Sequence, residues 1–232
     1  MNDTIASIAT SLGVGAISII RVSGPDSISI VNRLFNGCDL ESVESHTIHY
    51  GHIVYNDEII DEVLVSVMKK PKTYTVEDVV EINCHGGIAS TNKVLELLLL
   101  SGCRLAERGE FTKRAFLNGR IDLVEAEAVS DLINSETDIE RKVAIKGLEG
   151  NLSKLIKELK NDLINIISNI EVNIDYPEYQ DIYEVTLDDL KKKIPIIKNK
   201  LEKIINDYET SKLLYKGINV AIIGRPNVGK SS

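Results

Sequence analysis

The chain has 232 residues, 43% of them hydrophobic and 27% charged, with a formal net charge of -8 at pH 7. That length gives room for one or two cores, since domains commonly run about 100 to 150 residues, and the acidic balance argues against a free-standing polyanion binder, which needs clustered Lys and Arg. Cys38, Cys84 and Cys103 form no CxxC pair and no stretch is apolar or leader-like enough for a membrane span or signal peptide, so reduced thiols in the cytoplasm are expected.

In chain order, residues 4–10 and 16–23 read as strands, and 25–35 as a helix with Pro25 near its start. Residues 47–55 and 59–68 read as strands joined at Asn56-Asp57, a pair suited to a tight hairpin turn. A further strand is expected over 79–84, a helix over 90–100 ended by Gly102, and a short helix over 111–117 stopped at Asn118-Gly119. This mixture is an α+β pattern.

From 121 to 215 the periodicity is almost wholly helical. Asp122 with Glu125 offers a capping-box-like start. From Ile139 the apolar positions Val143, Leu148, Leu152, Leu155, Leu159, Leu163, Ile166 and Ile170 recur at helical steps and predict one long helix, loosened by Gly147 and Gly150 and ended at Tyr176-Pro177. Thr186 with Asp189 starts another helix, expected to kink or to begin late at Pro195. The two long helices are expected to lie antiparallel with apolar surface left to cover. Residues 218–223 then read as a strand.

That last strand runs into "GRPNVGKSS". Gly224, Gly229, Lys230 and Ser231 match GxxxxGK[ST], a loop whose backbone N–H groups surround phosphates while the lysine reaches the terminal ones and the serine hydroxyl ligates Mg²⁺. The helix that should follow lies beyond Ser232, so the chain is expected to be the front of a longer protein.

Three positions in the first half resist a purely structural reading. Strand alternation puts Arg21 on the face of Ile17 and Ile19, where its guanidinium needs an anion or the sheet edge. Glu81 shares a strand face with Val79 and Asn83, and a carboxylate there can accept two parallel N–H bonds from an amidine-like ring edge. Arg120 follows Gly119 at a helix-to-helix corner. Each has a plain alternative: a strand-end arginine, an exposed strand carboxylate, and a cation on the last carbonyls of a helix. Metal binding by His46, His49 and His52 is not expected, because their spacing alternates faces of a strand. A Cys84–His85 nucleophile lacks a third member.

Four stretches, "DTIASIAT" with "IIRVSGP", "PKTYTVEDVVEINCHGG", "RLAERGEFTKRAFLNGRIDLVEAEAVSDLI" and "AIIGRPNVGKSS", together resemble the tRNA modification GTPase MnmE (TrmE) family in order and spacing. The resemblance implies a tetrahydrofolate-binding and dimerisation domain over 1–119, the first part of a helical domain over 120–216, and over 217–232 the start of an inserted α/β GTPase domain. It also implies modification of carbon 5 of a wobble uridine in tRNA with a one-carbon unit from 5-formyl- or 5,10-methylene-tetrahydrofolate, together with the flavin-dependent partner MnmG (GidA). Arg21, Glu81 and Arg120 fall on the family's folate contacts. Asn227, Val228, Gly229, Lys230, Ser231 and Ser232 fall on its GTP loop, with Ser231 as the Mg²⁺ ligand and Asn227 linked to K⁺. The resemblance thus implies a cytoplasmic homodimer that binds reduced folate; without the rest of the nucleotide domain, no GTP hydrolysis and no catalytic residue are expected within this chain.

Three departures from the family pattern stand out. Ser11-Leu12-Gly13-Val14-Gly15 replaces a usual Pro-Pro-Gly-Arg-Gly-like loop, Val76 a usual glycine, and Arg120 a frequent lysine. The nucleotide loop alone also suits a regulatory GTPase of the Era or Der kind acting in ribosome assembly. A folate-dependent methyl- or formyl-transferase is a further alternative. The Era or Der reading leaves the pattern before residue 135 unexplained.

Overall fold

The computed structural model describes residues 3–175, 187–216 and 223–224. Residues 1–126 and 127–232 form two compact units.

The first unit contains β1 (Ile5–Ile8), β2 (Ile17–Ser23), α1 (Ser27–Leu34), β3 (Phe35–Asn36), β4 (Thr47–Tyr55), β5 (Glu58–Met68), β6 (Val79–His85), α2 (Ile88–Leu100), β7 (Arg104–Leu105) and α3 (Glu110–Leu117). Its strands form one sheet in the order β3-β4-β5-β6-β2-β1-β7. All neighbours run antiparallel except β1 and β7, which are parallel. The expected strands and helices of this half are present to within a few residues, and the two-residue strands β3 and β7 are additional. Asn56 and Asp57 both adopt positive φ, 50° and 65°, the conformation a two-residue hairpin turn needs and that Asn and Asp tolerate.

Alternation decides the two faces of this sheet. Ile20, Val22, Val65, Val67, Val80 and Ile82 are buried against Ile30, Val31 and Leu34 of α1 and Val94, Leu97 and Leu98 of α2. Each such side chain contributes about 1.5–3 kcal/mol on leaving water, so this face carries the stability of the unit. On the other face Ile17, Ile48, Tyr50 and Leu64 are exposed. There the strand register sets Tyr50 opposite Leu64, Leu64 opposite Asn83, and Ser66 opposite Glu81, which in turn stands opposite Arg21.

One end of this second face lies under α3 and residues 71–78. Arg114 of α3, with only 1% of its side chain exposed, is surrounded by acceptors: Asp3 Oδ1 at 2.8 Å, the Asp3 carbonyl at 2.9 Å, Glu77 Oε1 and Oε2 at 3.1 and 3.2 Å, and Glu110 Oε1 at 3.2 Å. Glu77 also accepts from the Ser23 hydroxyl at 2.7 Å, and Ser23 bonds Thr75 at 2.7 Å. A buried guanidinium thereby fixes the loop to the end of β2. At the opposite end, Gly15 N–H donates to the Gly86 carbonyl at 3.1 Å and Gly86 N–H to the Ala16 carbonyl at 3.3 Å. A Cβ on Gly86 would collide with the Gly15 backbone.

The helix α4 (Leu123–Asn134) crosses the division between the units, followed by α5 (Asp138–Leu148), α6 (Asn151–Asp175) and α7 (Leu187–Lys216). The expected cap of α4 is formed: Asp122 N–H donates to Glu125 Oε2 at 2.8 Å and Glu125 N–H to Asp122 Oδ1 at 3.0 Å. The single long helix expected from Ile139 is instead two. Gly150 stands at φ 71°, which ends α5, and a Cβ on Gly147 would come within 2.8 Å of the Ala128 Cβ, so the first glycine terminates a helix and the second permits close packing, and neither loosens one. Nor does the last helix begin at Pro195, which lies inside α7. Asp162 bonds Lys200 at 3.1 Å while Ile166 faces Ile196 and Ile197, an antiparallel register of α6 and α7. Ile156, Leu163, Ile167, Ile194, Ile196, Leu201 and Ile205 remain exposed on these helices. The break expected at Tyr176-Pro177, the start at Thr186, most of the 218–223 strand, and Asn227 through Ser232 of the nucleotide loop lie outside the described residues.

Candidate functional site

Arg21 and Glu81 are direct cross-strand partners. Arg21 Nε and Nη2 each reach Glu81 Oε1 at 2.7 Å, leaving Oε2 without a partner among the described residues. Both side chains are part-exposed, which lets a ligand approach the pair. The guanidinium carbon of Arg21 lies 5.9 Å from the centre of the Tyr74 ring and 5.6 Å from that of Phe111. Arg120 takes the same tyrosine, its guanidinium carbon 4.8 Å from the ring centre, and Nη1 donates to the Tyr74 carbonyl at 3.1 Å. Tyr74 therefore lies close to both Arg21, the partner of Glu81, and Arg120, residues widely separated along the chain. Cation–π contacts of this kind contribute about 0.5–1 kcal/mol each at exposed sites, enough to orient a ring rather than to lock it.

The loop that carries Tyr74 is held from several sides. The Tyr74 hydroxyl bonds Thr112 at 2.9 Å, Asn118 Nδ2 donates to the Thr75 carbonyl at 2.6 Å, and Thr73 donates to the Glu77 carbonyl at 2.7 Å. Between this loop and the end of α3 lies an open cleft of about 600 Å³, lined among others by Met68, Lys72, Tyr74, Val76 and Arg120. Tyr74 and Lys72 escape a reading of the sequence by strand or helix periodicity, since loop side chains follow no period, and Phe111 sits in the first turn of a helix too short for its face to be read. The one signal for them was their place inside the motif stretches quoted above.

A second polar cluster sits at the start of α2. Asp61 accepts from His85 N–H at 2.9 Å, His85 Nδ1 at 2.7 Å and Ser90 Oγ at 2.7 Å. The Asp61 hydrogen bond raises the His85 pKa above its ordinary value. Burial works to raise the Asp61 carboxyl, but its bonds from Ser90 and His85 outweigh this and hold it low. Cys84, beside them, is buried and its thiol is pushed up to about 12. A neutral, enclosed thiol is no nucleophile.

A mixed-sheet unit followed along the chain by a helical unit defines the class, and comparison with known proteins gives the family. The model of the GTP-binding protein TrmE N-terminus matches residues 4–120, and that of the MnmE helical domain matches residues 123–222. The chain belongs to the MnmE (TrmE) family. It is 59% identical over 232 residues to the tRNA modification GTPase MnmE of Bacillus cytotoxicus, 57% over 230 residues to that of Streptococcus thermophilus, and 58% over 232 residues to that of Bacillus thuringiensis. These alignments cover 99% of this chain and 51%, 50% and 51% of the respective relatives. The chain thus spans about half the length of the curated relatives it matches. Among the described residues no helix is long and apolar enough to cross a membrane.

Proposed function

We propose that the first unit binds a reduced folate, 5-formyl- or 5,10-methylene-tetrahydrofolate, at Arg21, Glu81 and Arg120. The carrying observation is that the Arg21–Glu81 pair and Arg120 both meet Tyr74, through the two guanidinium groups, and that Tyr74 and Arg120 line an open cleft. The residues present suit the group: Glu81 Oε2 lacks a partner among the described residues and can accept from the amino-pyrimidine edge of the pterin, and the arginines supply charge for its carbonyl and carboxylates. A bound folate supplies the one-carbon unit; the protein holds and orients it.

The longer protein is read as a GTP-dependent tRNA modification enzyme that adds a one-carbon-derived group at carbon 5 of the wobble uridine. It would use Mg²⁺ at Ser231, K⁺ at Asn227, and the flavin-dependent partner MnmG in the cytoplasm. The names of the relatives support the tRNA and GTPase parts of this reading. We place the homodimer contact on the open sheet face, where Ile48, Tyr50 and Leu64 are exposed in the rows that border Glu81 and Arg21. Exposed apolar side chains along α6 and α7 support completion of the helical unit by later parts of the polypeptide.

Calorimetric titration with 5-formyltetrahydrofolate tests the site. The native chain should bind, and Glu81→Gln should weaken binding about tenfold or more, since a hydrogen bond to a charged group is worth about 1.5–3 kcal/mol. Equal affinity of the two proteins would remove Glu81 from the site, and no heat with either would end the folate reading.

A further inference from the structure

We infer that the cleft between residues 71–76 and the end of α3 holds the γ-linked glutamate tail of a polyglutamylated folate, with Lys72 and Arg120 as its carboxylate-binding cations; this rests on the folate reading above. The two sides of Tyr74 differ in chemistry. On one side Arg21 and Glu81 offer both a donor and an acceptor, the combination a pterin edge requires. On the other side, the lining of the cleft contains Lys72 and Arg120 and no carboxylate. That is uncommon surface for a chain with 35 acidic against 27 basic residues.

Among the described residues these two cations also stand apart from the ion pairs that hold the other cations nearby. Arg21, Arg104 and Arg114 all stand in ion pairs. Neither Lys72 nor Arg120 makes an ion pair among the described residues, and the Arg120 side chain spends a single N–H on the Tyr74 carbonyl. Two exposed, unpaired cations on one concave surface raise the local potential for anions. The Tyr74 ring, 5.9 Å from the Arg21 guanidinium carbon and 4.8 Å from that of Arg120, links this surface to the Arg21–Glu81 pair and gives a flat partner for the aminobenzoyl group that joins pterin to glutamate. A folate laid along this path has its ring system at the donor–acceptor pair and its carboxylates at the cations. Each further glutamate adds one net carboxylate, carried on a neutral amide link.

Phosphate of an RNA strand presents the same charge, yet two cations beside one tyrosine make a thin track for a backbone with one charge per nucleotide. Continuity with the Arg21–Glu81 pair favours the tail.

Titration of the chain with 5-formyltetrahydrofolate as monoglutamate and as triglutamate tests the inference. The triglutamate should bind about three- to tenfold more tightly, the range that partly exposed charge pairs give, and raising the salt should shrink that ratio. Lys72→Ala should bring the ratio towards one and Lys72→Glu below it, while Lys93→Ala, a substitution on the outer side of α2, should keep the native ratio. Equal affinity for the two ligands in the native chain overturns the tail assignment and leaves the folate reading intact. No heat with either ligand overturns both. A native ratio in Lys72→Ala, or loss of binding to an RNA hairpin in that variant with the ratio unchanged, assigns the cations to another ligand and sinks the inference.

Discussion

Val76 adopts φ 64°, in the left-handed region where a β-branched side chain crowds its own backbone. The cost is about 1–2 kcal/mol, against about 0.4–1 kcal/mol of unfolded-state entropy that a glycine would add. Relief of strain is the larger quantity, so Val76→Gly is expected to raise the melting temperature by a few degrees; a fall on calorimetric scanning would show that the valine's packing in the cleft matters more. The cysteines also separate at this scale. Cys84 and Cys103 are buried and pushed up to about 12, chiefly by that burial, whereas Cys38 is exposed. Iodoacetamide on the native chain should therefore label Cys38 alone, as peptide mass spectrometry would reveal. Strand alternation showed in advance which same-strand neighbours share a face with Arg21 and with Glu81, because side-chain direction in a strand is a local property. Their pairing with one another was not legible, since register between strands depends on the whole sheet.

Among the elements, α3 depends on a charge it encloses. Removing Arg114 leaves Glu77 and Glu110 with less compensation around the loop that carries Tyr74. Arg114→Met is expected to cost about 3–5 kcal/mol, the range for one partner deleted from a buried ion pair, and urea unfolding would measure it. Acid acts on the same cluster. Hydrogen bonds from Arg104, then from the Glu107 backbone and Arg114, hold the Glu110 carboxyl down at about 2 against an ordinary 4.5. A carboxyl depressed on folding stabilises the native state above its unfolded pKa and ceases to do so as the pH falls through the folded value. The urea midpoint should thus decline from near pH 4.5 towards 2 and be flat above that window for this group. In Glu110→Gln that part of the decline should vanish. The hairpin and the cap of α4 were readable because Asn56-Asp57 and Asp122 with Glu125 act over a few residues. By contrast, the break between α5 and α6 was not, because the apolar spacing continues through Gly150 and conceals one left-handed residue.

At the scale of the molecule, the proposed association would use the exposed apolar side chains on the second face of the sheet. Tyr50 and Leu64 face each other across β4 and β5 and are both exposed. If two protomers meet there, Leu64→Glu should halve the mass seen by analytical ultracentrifugation while leaving the circular dichroism of the sheet unchanged, since the side chain is not part of the core. An unaltered mass would move the contact elsewhere. The α+β and helical halves could be told apart in the sequence by their change of period, but the uncovered apolar surfaces on both give no sign in sequence of what they meet. The Gly15–Gly86 fastening has its own consequence. Two backbone bonds anchor the base of a loop whose Leu12 and Val14 side chains point to solvent, so the tip can exchange residues while its stem stays put. Substitutions at that tip can therefore change its charge without disturbing the architecture beneath.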